Sequence, residues 1–129
     1  MLPGELLVSI TLPTPFPDHA AFFKVAKRSL DDISTLAAAY SLTLDAAGCI
    51  ASARIAYGGA AATPLRVPAA ERVLLGSPWN HAAVRRAQQA VAGALKPLSD
   101  HRGSAAYRLA VAQTLLAKFW DQTAAGEAA

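Results

Sequence analysis

The spacing of hydrophobic and polar positions changes several times along this chain, and each change marks an expected element. Residues 5–12, E-L-L-V-S-I-T-L, are rich in Val, Ile and Leu and read as a strand. Pro13, Pro15 and Pro17 end it and form a stiff connector. Asp18 stands where a helix N-cap would, so Phe22, Phe23, Val25 and Ala26 are expected as a short helical turn with an apolar side. The polar run 27–32 reads as a loop. Over residues 33–44 helix and strand compete. Ala37, Ala38 and Ala39 favour helix, while Leu36, Ala38, Tyr40, Leu42 and Leu44 alternate with Thr35, Ser41 and Thr43 as a half-buried strand does. The alternation favours a strand. Asp45 to Gly48 reads as a turn, with Gly48 suited to positive φ, and residues 49–57 as the returning strand of a hairpin.

Helical spacing takes over further on. Gly58 and Gly59 end the hairpin in a sharp turn, and residues 60–67 hold a further short strand interrupted by Pro64. Pro68 fits the first turn of a helix reaching about residue 75, with Gly76 at its end. Asn80 can cap a long helix to about Lys96, with Val84, Ala87, Val91, Ala94 and Leu95 in one apolar stripe and Pro97 as its stop. His81, Arg85, Gln88, Gln89 and Lys96 take the opposite side, and Trp79 reads as a packing anchor. After the polar turn 99–103, Ser104 caps a last helix to about Gln122, where Leu109, Ala112, Leu116, Phe119 and Trp120 keep helical spacing. Val111 and Leu115 widen that apolar surface, so the helix is expected to be covered on more than one side. The tail 123–129 is expected to fray. The order implies an α+β fold: a small antiparallel sheet of roughly three to four strands with helices packed on one face.

Composition narrows the classes. At 129 residues the chain is one domain with a modest core. Hydrophobic residues make up 53% and charged residues 16%, which excludes disorder and suggests extensive contact with neighbours. The net charge of +3 comes from scattered cations without a basic, aromatic-laced stripe, so nucleic acid is not an expected partner. A single cysteine, Cys49, excludes a disulfide framework within the chain. No signal-like N-terminus and no run of about 18 apolar residues appears, so a soluble cytoplasmic protein is expected.

Self-contained catalysis finds little support. His19, His81 and His101 lack metal-ligand spacing, Ser29 and Ser34 lack a nucleophile context, and no Walker or G-x-G-x-x-G loop occurs. Glu71 reads as a solvent-facing or locally paired carboxylate, and Asp100, Arg102 and Arg108 as a structural network. The densest chemistry is Phe22 to Ile33, with two aromatics, Lys24, Lys27 and Arg28, and the adjacent carboxylates Asp31 and Asp32. One reading is a solvated cluster of weak ion pairs. The other is a loop anchored at both ends that presents Lys24, Arg28 and Asp31 to a ligand. If the chain is extended at Asp31 and Asp32, their side chains diverge, and one can pair with Arg28.

Ordered motifs weigh on that choice. F-K-x-x-x-R-x-x-D-D-I, Gly48-x-Ile50, Arg54 to Ala60 (R-I-A-Y-G-G-A), Thr63-Pro64-x-Arg66, Glu71-x-x-Leu74-x-Gly76 and D-x-R-G-S-A-x-Y-R from Asp100 to Arg108 follow one another across residues 22–120. In that order they resemble the C-terminal domain of the flavin-binding part of molybdenum hydroxylases. The likeness is to xanthine dehydrogenase above all, and also to the related carbon monoxide dehydrogenase flavoproteins.

The resemblance implies that residues 1–17 are a lead-in strand and connector from an upstream flavin domain, and that 18–122 are the family's domain. It implies a chain that is inactive alone and closes one side of an FAD site. In the full enzyme electrons would pass from 2Fe-2S clusters through FAD to NAD during purine oxidation at a molybdenum cofactor, none of it bound by this chain except FAD on one side. The implied partners are the FAD-binding domain, an iron–sulfur domain and a molybdenum-binding subunit. By resemblance Lys24 would sit near the flavin, Arg28 would be a mobile loop cation, Asp31 would approach the ring, and Asp32 would complete the loop. The alternative is an interaction or dimerisation module of the same fold without redox function.

Overall fold

A computed structural model describes residues 2–28 and 32–124. Four antiparallel strands, β1 (His19–Val25), β2 (Leu36–Leu44), β3 (Ile50–Gly58) and β4 (Leu65–Arg66), lie in sequence order in one sheet. Three helices follow: α1 (Pro68–Leu74), α2 (His81–Ala94) and α3 (Ala105–Ala124). The architecture is α+β, as the order of elements implied.

Alternation decides the sheet. On β2, Leu36, Ala38, Tyr40 and Leu42 are buried, and on β3 so are Ala53, Ile55 and Tyr57. These side chains share the face against the helices, where Val84, Ala87 and Val91 of α2 and Ala112, Leu116 and Phe119 of α3 complete the core. The register shifts at the β2–β3 turn: Thr43 faces Ser52 and Leu44 faces Ile50, which leaves Ala51 as the extra residue of a bulge. The bulge explains how both Ile50 and Ala53 point inward although they are three apart.

Local signals held where they were specific. Gly48 has φ +75°, and the Asp45 carboxylate accepts from the backbone of Ala47 and Cys49, closing the hairpin. The Asn80 side chain caps α2 by accepting from Ala83 N–H at 3.0 Å, and Ser104 Oγ accepts from Tyr107 N–H at 3.1 Å at the start of α3. α2 ends at Ala94, two residues before the expected Lys96, and Ala94 itself is exposed. α3 reaches Ala124, where Thr123 accepts a hydrogen bond from Trp79 Nε1 at 2.8 Å. Residues 125–129, the rest of the expected frayed tail, lie outside the described residues.

Two expectations are corrected. Residues 19–25 form strand β1, not a helical turn around Phe22, Phe23, Val25 and Ala26. Pairing with β2, Phe22 opposite Ala39 and Phe23 opposite Ala38, outweighs the weak helix-start signal at Asp18. Asp18 instead accepts the backbone N–H of Leu44 at 2.8 Å. Residues 5–12 form no strand either; a strand needs a neighbour for its ladder, and no described strand lies beside them. Their side chains stand in solvent, Leu6 at 85% and Val8 at 90% exposure.

Candidate functional site

The connection between β1 and β2 begins where the sheet's edge strand ends. Lys24 is the penultimate residue of β1 and points away from the helices, on the same face as Phe22. Among the described residues no helix covers that outer face. It is built from small residues, Ala37 and Ala39 of β2, Ala56 and Gly58 of β3, with exposed Phe22 and Pro64 at its sides, around a shallow cavity of about 260 Å³. A flat apolar group could approach the backbone of such a face closely.

At the end of β1, Lys24, Val25, Ala26, Lys27 and Arg28 line a second cavity of about 370 Å³. Arg28 Nε lies 4.0 Å from Asp32 Oδ2, so Asp32 is the carboxylate that meets Arg28. The Arg28 side chain is 73% exposed and that of Asp32 19%. Lys24 and Lys27 are exposed, which leaves the near side of the loop cationic. Asp31 lies outside the described residues, so of the four expected site residues the structure places Lys24, Arg28 and Asp32 together.

The loop is tied down at its neck. Thr35 N–H donates to Val25 O at 2.7 Å, continuing the β1–β2 ladder by one rung. Thr35 is buried, and its Oγ1 donates to Arg102 O at 3.2 Å. Lys27 Nζ donates to His101 O. Both links hold the loop to the turn before α3.

Arg108 organises that turn. It is 5% exposed, and its guanidinium donates to Thr35 O, to Gly59 O at 2.9 Å, to Gly103 O at 3.5 Å and to Asp100 Oδ1 at 2.6 Å. Asp100 also accepts from the backbone N–H of Arg102 at 2.8 Å, so Arg102 joins the network through its main chain. The Arg108 hydrogen bond, then the Arg102 N–H, hold the Asp100 carboxyl below the usual aspartate range. Gly59, at φ +75°, has no room for a side chain: a Cβ there would stand 2.7 Å from Thr35 O.

Sequence reasoning found the loop and the network but not their junction, because Arg108 reaches carbonyls 73 and 49 residues away. One signal was available. Arg108 sits in the first turns of a helix, where the dipole disfavours a cation, and such a placement calls for specific acceptors.

A second ion pair, with a buried carboxylate and an exposed arginine, lies apart from the loop. Glu71, 7% exposed, takes Arg66 Nε at 3.0 Å and Nη2 at 2.6 Å, and accepts Ile55 N–H at 2.9 Å. Of the two expectations for Glu71, the structure shows the paired one and excludes the solvent-facing one. Burial raises its carboxyl, but the Arg66 and Ile55 hydrogen bonds and the charges of Arg66 and Arg54 outweigh that and leave it below the ordinary glutamate value. Among the described residues no three His, Cys, Asp or Glu side chains could hold a metal ion, and no helix is long and apolar enough to cross a membrane.

Comparison with known proteins places the chain in a family. The family model described as the CO dehydrogenase flavoprotein C-terminal domain matches residues 21–123, which include the loop, the Arg108 network and the Glu71 pair. The carbon monoxide dehydrogenase medium chain of Afipia carboxidovorans is 36% identical over 114 residues, 88% of this chain and 39% of that one. A xanthine dehydrogenase FAD-binding subunit from Escherichia coli is 33% identical over 123 residues, 94% of this chain and 42% of that subunit. The crystal structure of a cyanide-inactivated Cu,Mo-CO dehydrogenase superposes with a TM-score of 0.69 at 35% identity, covering 76% of this chain and 34% of that chain. This chain therefore spans about two fifths of the length of these two curated relatives.

Proposed function

Because the chain belongs to the CO dehydrogenase flavoprotein C-terminal domain family, we propose that it forms one wall of an FAD site in a molybdenum hydroxylase. Bound FAD would supply the electron relay between iron–sulfur clusters and a final acceptor. The single observation that carries the reading is the tethered cationic loop beside an open face of small residues.

The residues present fit one edge of the cofactor. The shelf of Ala37, Ala39, Ala56 and Gly58 suits a planar ring, and Lys24 on the same face supplies a cation beside it. The rest of a dinucleotide needs a partner, since no Gly-rich phosphate turn opening a helix is present in the sequence. In this reading Lys24 and Arg28 favour the negative charge a flavin gains on reduction, while Asp31 and Asp32 oppose it. Asp32 opposes it the less for being paired with Arg28.

The finer assignments belong to the same proposal. They are a xanthine dehydrogenase-type enzyme, a purine substrate, NAD as acceptor, an iron–sulfur domain and a molybdenum-binding subunit as partners, a cytoplasmic location, and no activity in the isolated chain. Residues 5–12, with Leu6, Val8, Ile10 and Leu12 on one alternating face and all exposed, would complete a sheet of the flavin-holding domain, with the Pro-rich residues 13–17 as connector. Those exposed residues are also what favours the second reading, a docking or dimerisation module without redox function.

Asp31→Ala and Lys24→Gln in the assembled enzyme test the site. Loss of the carboxylate should raise the flavin potential and loss of the ammonium should lower it. If potential and acceptor reduction stay unchanged in both variants, the loop does not serve the flavin.

A further inference from the structure

We infer that Arg108 is a positioning residue for the flavin-side loop, acting through Thr35 and not by touching the cofactor. The inference rests on the reading that this loop lies beside FAD.

Three segments converge on the one guanidinium through four acceptors. Thr35 O is the exit of the loop, Gly59 O the end of β3, Gly103 O the turn before α3, and Asp100 the counter-ion within that turn. A bare charge pair would need one of these acceptors. Three carbonyls from distant parts of the chain, met by one planar fork, define the relative placement of those segments. Neighbouring contacts repeat the constraint. Thr35 Oγ1 holds Arg102 O, Thr35 N–H holds Val25 O, and Lys27 reaches His101 O.

Both flanks of the loop are therefore referenced to the Asp100 turn, at residues 25–27 and at residue 35. Gly59 is required for the same junction, since a Cβ would meet both Thr35 O at 2.7 Å and Arg108 Nη1 at 3.2 Å. The sheet could pair and the core could pack without this arrangement. The loop would then be held by the strand ladder alone, and Lys27 and the Arg28–Asp32 pair, which lie beyond the ladder, would lose their fixed position.

Loss of position has an electrical signature. A unit charge retreating from about 4 to about 6 Å at an effective dielectric of about 20 changes an equilibrium by roughly tenfold. For a two-electron couple that is about 30 mV. A merely structural arginine would lower stability without moving a potential.

The test uses the assembled flavin-containing enzyme in four forms: wild type, Arg108→Met, Thr35→Val and, as a control for lost stability, Glu71→Gln. Each is measured below its melting temperature for flavin content, flavin-band circular dichroism and midpoint potential. Arg108→Met should keep its flavin but shift the potential by about 30 mV and alter the dichroism. Thr35→Val should shift both in the same direction by less. Glu71→Gln should melt earlier with both signatures unchanged.

Wild-type potential and dichroism in flavin-replete Arg108→Met would overturn the inference and leave the proposed function standing. Equal shifts in Glu71→Gln would overturn it too. If Arg108→Met does not assemble, Arg108→Lys, which keeps the charge but loses the planar fork, decides by the same criterion. A wild-type assembly without flavin would instead sink the proposed function, and this inference with it.

Discussion

Replacing Glu71 should destabilise this chain in a graded way that the geometry ranks in advance. β4 is two residues long and pairs only with Ala56 and Tyr57, so the backbone of Ile55 on that side has no strand partner. Glu71 Oε1 accepts the Ile55 N–H, and Val67 N–H donates to Ile55 O at 2.8 Å. A helix side chain thus completes the ladder where the strand is missing. Glu71→Ala strands a buried N–H, a cost of about 1–3 kcal/mol. It also frees Arg66, whose side chain is 50% exposed and returns to water, so the lost ion pair adds no more than about 1 kcal/mol. The sum is about 1–4 kcal/mol, which lowers the melting temperature on the order of 4–20 °C in a domain of this size. Glu71→Gln keeps an acceptor for Ile55 and loses only the charge, so its cost should stay near 1 kcal/mol. Urea and thermal unfolding of the three proteins at neutral pH read both values. Equal losses for Ala and Gln, or a loss below about 0.5 kcal/mol for Ala, a typical surface effect, would refute the role given to the Ile55 hydrogen bond.

Other expectations follow from the same geometry. Because the Glu71 carboxyl is held below its ordinary value, its contribution is fully present above the unfolded glutamate range, ~4.3. It is lost as pH falls through the lower folded value, and Glu71→Gln should remove that part of the acid dependence of unfolding. Gly59→Ala combines a left-handed backbone with a Cβ against Thr35 O, and should cost about 2–4 kcal/mol in the same assay. Tyr57→Phe removes the donor to Ala112 O at 2.8 Å and the acceptor for Tyr40 Oη at 2.9 Å, for a loss of about 1–3 kcal/mol; a neutral result would mean these buried hydroxyls find other partners. Phe22→Asp, on the open face and 69% exposed, should leave the chain's own stability within about 0.5 kcal/mol but weaken co-purification with a flavin-holding partner.

What could be read from the sequence was whatever its own neighbours decide. The β2–β3 hairpin, α1 after Pro68 and α2 after Asn80 carry alternation, turn and cap signals within a few residues. β1 was misread because Phe22, Phe23 and Val25 suit either period, and only pairing with β2 separates inward Phe23 from outward Phe22. Phe23 then stacks at 5.8 Å on Tyr40, a contact no local pattern encodes. Residues 5–12 have a strand's composition, but composition does not supply a partner strand. At the candidate site the cluster of Lys24, Arg28 and Asp32 was legible from charge density. The Arg108 junction was not, because its acceptors are mainly backbone carbonyls, which every residue has.

The central claim is that this chain serves a flavin as part of a larger molybdenum hydroxylase. The most direct test is the visible absorption spectrum of the native assembly, captured from its source cells through this chain. Flavin and iron–sulfur bands in stoichiometric amounts, with molybdenum in the same material, are the predicted result. A colourless protein at this chain's own mass would contradict the account and leave a binding module that shares only the family's shape.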